Sequence, residues 1–192
     1  MVYVTSYLDP GLSDAQVRAV NAYRAIRRNP ESWDQSTWRQ ASDEPTQCGA
    51  KLCFYGHIAQ QAGAIWLGPP DSSHGYLVLA EEGDDTSESN SYTVSNPNYD
   101  IKFTVKGVPV KRRVARLLGL VSESYADRAL YDAYNEITDL RNKIIEYLGV
   151  DPETGFKVRR EIKKYNADTR KYERSYSTDP EDCGVTGCTV CN

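Results

Sequence analysis

Cys48 and Cys53 stand with four residues between them at the front of an apolar stretch with helical patterning, and His57 follows Cys53 by four residues. The partial positive charge at a helix N-terminus stabilises a thiolate, so a cysteine placed there can act as a nucleophile when a base is within reach. His57 is one candidate base and lies closer in sequence to Cys53 than to Cys48; His74, in Ser72-Ser73-His74-Gly75, is the other. The same residues also suit a metal. Positions four apart on a helix face one side, so Cys53 and His57 can grip one ion, and Cys183, Cys188 and Cys191 include a C-x-x-C pair that could complete a tetrahedral zinc site. A third use of such thiols is as small apolar core side chains, and this is the leading expectation. Cys48 and Cys53 are then buried, not bonded to each other, and hold their helix against the segment carrying Trp33 and Trp38. On that reading no cofactor is needed, and zinc is the alternative.

A second set of residues points to binding rather than bond-breaking. Glu81, Glu82, Asp84, Asp85 and Glu88 form an acidic run with no apolar residue among them, and Tyr76, Tyr92 and Tyr99 flank it. Carboxylates in a mobile loop steer a basic partner over long range, while neighbouring aromatics supply affinity. Lys111-Arg112-Arg113 opens a helix, where it can touch phosphate or form a solvated first turn. A basic stretch from Lys157 to Arg174 carries Tyr165, Tyr172 and, just beyond it, Tyr176, the aromatic interleaving of nucleic-acid binders, but Glu161, Asp168 and Glu173 dilute it. With a net charge of −4 over 192 residues, nucleic acid is a less favoured main partner than protein.

Motifs for other chemistry are missing: no Walker loop, G-x-G-x-x-G, H-E-x-x-H or G-x-S-x-G occurs. The first residues lack a basic start and a long apolar run, and no window reaches the roughly 18 apolar residues of a membrane span. Five cysteines, an odd number, fit reduced thiols better than a secreted disulfide framework. A soluble protein of the bacterial cytoplasm, without a membrane partner, is expected.

The elements that must position these groups follow from hydrophobic period. The spacing predicts a helix over 13–28, capped by Ser13 and stopped by Asn29-Pro30, and a second over 49–67. Gly56 and Gly63 within it imply close approach of another backbone. From 76 to 108 the period becomes two, giving a small antiparallel sheet with the acidic run as a loop tip. Helices return over 110–118, 124–134 and 136–148, the last two able to run on as one, with Gly119 as a left-handed terminator. The fold class is α+β: a helix-rich single domain over 1–150 with a β insertion at 76–108. Residues 151–192 form a basic helical extension and a flexible cysteine-containing tail.

Three segments carry a resemblance. Asn29-Pro30-Glu31-Ser32-Trp33-Asp34-Gln35-Ser36-Thr37-Trp38, Cys48-Gly49-Ala50-Lys51-Leu52-Cys53 with Gly56 and Ala59, and Arg113-Val114-Ala115-Arg116-Leu117-Leu118-Gly119-Leu120 resemble, in that order, a group of uncharacterised proteins of actinobacterial phages and their hosts. That group has W-D-Q-x-x-W, C-G-T-x-x-C-x-A-G-x-A and L-G-L segments, and the likeness spans about residues 13 to 148. Ala50 replaces its usual threonine and Tyr55 its usual alanine, so chemistry performed by that threonine is absent here. The resemblance implies a small phage-type accessory protein that binds a host protein stoichiometrically, without catalysis. A zinc-stabilised adaptor for nucleic acid or protein is the alternative, and a cysteine-dependent enzyme the third reading.

Overall fold

The computed structural model describes residues 8–41, 50–68, 76–86, 90–96, 101–158, 160–166 and 171–177, with 41, 50, 90, 92–96, 101–103 and the last two stretches described by backbone alone. Helix α1 spans Asp14–Arg28. The Ser13 side chain accepts from the Gln16 backbone N–H while Gln16 reaches back to Ser13 N–H, a reciprocal cap that satisfies two donors the helix cannot. Its inner face, Ala19, Val20, Ala22, Tyr23 and Ile26, is buried. Full burial of a side chain such as Ile26 contributes about 1.5–3 kcal/mol.

Beyond a 3-10 turn at Pro30–Ser32 come two short strands, β1 (Gln40–Ala41) and β2 (Ala50–Lys51), paired antiparallel. Here the expected helix over 49–67 is corrected: α2 is Phe54–Gln61 only. Backbone bonds from Leu52 N to Ser32 O, Asp34 N to Leu52 O and Cys53 N to Thr37 O tie 51–53 to the Trp33–Trp38 loop in extended form. The helix starts only after Cys53, and it ends at Gly63, whose φ of +79° is left-handed. Residues 65–67 then pair with β3 (Leu77–Leu79) through Leu79 N to Ile65 O and Leu67 N to Leu77 O.

Strands β4 (Asn90–Asn96) and β5 (Ile101–Pro109) complete an antiparallel sheet in the order β3-β5-β4. Pro109 passes directly into α3 (Val110–Leu117), closed by Gly119 at φ +67° as its sequence implies. Helices α4 (Tyr125–Tyr131) and α5 (Ile137–Leu148) are separate, because the side chains of Glu136 and Asp139 cap the start of α5 and Asn135 Nδ2 donates to Ala129 O and Leu130 O at the end of α4. Helices α1, α2, α3 and α5 and strand β3 meet in one core that includes Phe54, Ile58, Val78, Val114, Leu140 and Ile144. The molecule is α+β, and none of its described helices is long and apolar enough to cross a membrane.

After Gly149 come β6 (Val150–Asp151) and β7 (Phe156–Lys157), which pair with each other, and then a second hairpin of β8 (Arg160–Asn166) and β9 (Lys171–Ser177). The basic helical extension is thus corrected to a β-ribbon. On a helix Arg160 and Lys164 would be like charges at i and i+4, a destabilising spacing, whereas the hairpin register sets Lys164 opposite Glu173.

Candidate functional site

Gln35 organises the loop between α1 and α2. It is buried, its Oε1 accepts from Phe54 N and Trp33 Nε1, both at 3.0 Å, and its Nε2 donates to Leu130 O at 3.1 Å. One amide therefore fixes the first residue of α2, the first tryptophan and the end of α4. The next turn is held by Asp34, whose Oδ1 accepts from Ser36 N and Ser36 Oγ; those bonds keep its carboxyl below the usual range. Held in this way, Trp38 stands beside Tyr131, ring centroids 5.6 Å apart, and Tyr55, at 6.4 Å.

Between this loop and α4 opens a cleft of about 440 Å³, with Ser36, Thr37, Trp38, Arg128, Tyr131 and Asp132 on its walls. A second hollow of about 460 Å³ lies on the other side of Gln35 and Ser36, bounded by Trp33, Lys51, Glu136 and Ile137. Tyr134, next to the cleft residues Asp132 and Ala133, is 92% exposed. Beneath the aromatic wall, Tyr55 Oη donates to Asp127 Oδ1 at 2.6 Å, and Asp127 Oδ2 accepts from Glu123 N at 2.7 Å. Burial pushes the Asp127 carboxyl up and the hydrogen bond from Tyr55 offsets only part of that; burial and Asp127 together push Tyr55 well above its ordinary value.

Cys53 also touches this cleft, as a cap. Its side chain is buried, and its Sγ accepts from Gly56 N at 3.4 Å at the start of α2. Burial pushes the thiol up to about 12, against the backbone donors that lower it, so Cys53 stays protonated at neutral pH. His57 is buried as well, with Nε2 3.2 Å from Ser32 O, and desolvation pushes its pKa down. The close backbone approach expected at Gly56 is present, since a Cβ there would lie 2.5 Å from Trp38 O; at Gly63 nothing lies within 4 Å and the left-handed turn is the reason for glycine. Cys48, His74, Cys183, Cys188 and Cys191 lie outside the described residues. Among the described residues no three His, Cys, Asp or Glu side chains converge to hold an ion.

The acidic run is placed differently from its expectation as a solvated loop. Asp84 is 2% exposed in its side chain, and both of its oxygens accept from Arg113 Nε at 2.8 Å. Arg113 Nη2 donates to Asp84 and, at 2.7 Å, to Leu79 O, while Arg116 Nε donates to Asp84 Oδ1 at 3.0 Å. Arg113 Nη1 is 2.8 Å from Glu81 Oε1, an ion pair off the line of a good hydrogen bond. Burial alone would raise the Asp84 carboxyl, but the bonds from Arg113 and from Glu81 N hold it below its ordinary value. Arg113, 1% exposed, is thus neither a phosphate contact nor a solvated first turn, and Arg112 pairs with Asp85 at 3.5 Å. Glu81 is half-exposed, Glu82 is exposed, and Tyr76 is 40% exposed. Tyr92 is fixed by register opposite Val105; Glu88 and Tyr99 lie outside the described residues.

Gln35, Arg128, Tyr131 and Tyr134 are site residues that the sequence reading does not single out. The available signal, for Gln35 alone, is its place in the Trp-Asp-Gln-x-x-Trp order. Comparison of the chain with models of known protein families, with curated protein sequences and with solved structures finds no match.

Proposed function

We propose that this chain works by stoichiometric binding to a partner protein, with the Trp38–Tyr131 cleft and its rim as the recognition surface. On the likeness to actinobacteriophage proteins, the partner is a host protein. The observation that carries the reading is the cleft's composition: an aromatic wall of Trp38 and Tyr131 and Arg128 with 64% of its side chain exposed, with the exposed Tyr134 following the lining residue Ala133 in sequence. Tryptophan, tyrosine and arginine are the residue types that dominate binding energy at protein interfaces. The wall is also pre-ordered by Gln35 and by the Tyr55–Asp127 bond, so little entropy is lost on docking. The groups best suited to covalent chemistry have other work, since Cys53 caps α2 and His57 meets a backbone carbonyl.

The exposed part of the acidic run contributes steering. Glu82 and the half-exposed Glu81 raise the association rate with a basic partner, an effect that fades above about 0.1 M salt, where the screening length is near 10 Å. Asp84 is excluded from that role by its burial against Arg113. The test is recovery of a host protein at one-to-one ratio by the wild type, by Arg128→Ser/Tyr134→Ser and by Glu82→Ser. Loss of affinity of about tenfold or more is expected for the first variant and little change at equilibrium for the second. Equal recovery by all three, with unchanged melting temperatures, sinks the proposal.

A further inference from the structure

We propose that the β8–β9 ribbon is a nucleic-acid-binding arm that seats in the major groove of a duplex, in addition to the protein-binding cleft. Three observations meet there. Within a chain of net charge −4, the two strands carry Arg160, Lys163, Lys164, Lys171 and Arg174 against only Glu161 and Glu173. Among the described residues, neither strand makes extensive contact with any element except the other. A two-stranded hairpin without a packing partner is marginal in water, so it gains most by being ordered on something else. The register then sets Lys163 directly opposite Arg174, a cross-strand pairing of like charges that is unfavourable unless an anion lies nearby, and sets Tyr165 opposite Tyr172 one register pair of the same parity further on.

Those features match a polyphosphate backbone better than a protein edge. A two-stranded ribbon fits the major groove, which is about 12 Å wide. Seven residues of strand extend about 23 Å, and at 3.4 Å per base pair that covers about seven pairs.

The experiment is fluorescence anisotropy of the full chain with a labelled duplex of about 20 base pairs, titrated at several salt concentrations. Contacts to about three phosphates give a log–log salt slope of about −2.7, or about a 40-fold loss of affinity between 50 and 200 mM. Lys163→Glu/Arg174→Glu should weaken binding at least about tenfold and Lys163→Gln/Arg174→Gln by less, while Arg27→Glu/Arg28→Glu, the same change of net charge at the exposed end of α1, should leave it within about twofold. Circular dichroism confirms that each variant is folded. Absence of binding at 50 mM salt, equal loss in both charge-reversal variants, or equal or tighter binding of a single strand overturns the proposal. So does a concentration-dependent dimer that Lys163→Glu/Arg174→Glu disrupts without any DNA binding, which would make the ribbon a contact between copies.

Discussion

The loop at 81–86 and the loop at 33–38 are both polar connections rich in groups that could bind a partner, and they end in opposite states. In the first, Asp84 is closed in by Arg113 and Arg116, Glu81 pairs with the same Arg113, and Asp85 takes Arg112 of α3. In the second, Gln35 is spent on backbone groups, but Trp38 is left half-buried on the wall of an open cleft. Charge that looks available in the sequence is consumed in holding a loop to a helix, and an aromatic that looks like a core plug is presented at a surface. The difference follows from desolvation. A buried carboxylate must find a cation, so complementary runs far apart in sequence close on each other, whereas a ring loses little by standing half in water.

The largest expected effect comes from opening the closed loop. Arg113→Ala leaves Asp84 buried with only the more exposed Arg116 as its cation and should cost about 3 kcal/mol, measured by urea unfolding. Arg113→Met/Asp84→Leu removes both charges and should recover most of that loss. Recovery of nothing would mean that the pair's hydrogen bond to Leu79 O, rather than its charge balance, holds the loop.

Gln35→Ala should come next, at about 1–3 kcal/mol, because it leaves Phe54 N buried without a partner, takes the acceptor from Trp33 Nε1 and leaves Leu130 O with only the Asn135 amide. It should also disorder the cleft, abolishing partner recovery, whereas the Arg113 and Asp84 double variant should retain it. If both variants lose the partner equally, the two loops are not separable in function.

Acid titration distinguishes the two buried carboxylates. Asp84 is held below 3.8 in the fold, so its stabilisation is complete above 3.8 and is lost as pH falls through its folded value. Asp127 is raised above 3.8, so the fold binds its proton more tightly than the unfolded chain, and its contribution declines as pH rises from 3.8 through its folded value. The effects oppose each other. Unfolding free energy measured across pH 3 to 6 should fall more steeply on acidification in Asp127→Asn and less steeply in Asp84→Asn/Arg113→Met.

Smallest of all should be Cys53→Ser. Taken from sequence, a hydroxyl in an apolar site would be costly, but Gly56 N–H waits at that position and serine is a strong N-cap, so a change below about 1 kcal/mol is expected. The wild-type thiol should label only as fast as the chain unfolds, because its pKa is pushed up to about 12. Rapid labelling at neutral pH would return Cys53 to the candidate nucleophiles.

How much of the molecule is legible in the sequence depends on whether a signal is local. The Ser13 cap, the Gly119 terminator and the change of period near residue 76 each rest on a few adjacent residues, and each stands where it is expected. The start of α2 differs because helical patterning begins at Ala50, while backbone bonds to Ser32 and Thr37, invisible in local pattern, draw 51–53 into extended form. The charge spacing at 160–177 suggests a helix; only the cross-strand register reveals why strands suit it better. Asp84 and Arg113 both stand out in the sequence, but as separate candidates for outside ligands, since nothing there says that two runs 29 positions apart satisfy each other. The cleft is hardest to see: Tyr131 and Arg128 carry no motif and matter only because Gln35 brings the end of α4 to Trp38.

The most direct test of the contrast between the closed and the open loop is site-specific photo-crosslinking inside a bacterial host. A photoreactive residue replaces the exposed Tyr134, one residue past the cleft-lining Ala133, in one variant and Glu82 in the acidic loop in another. The expected result is a single one-to-one cross-linked product from position 134, identified by mass spectrometry as one host protein and lost on adding Arg128→Ser, with weak, salt-sensitive product from position 82. A strong, salt-insensitive product from position 82 with none from position 134 would contradict the assignment of the cleft as the recognition surface.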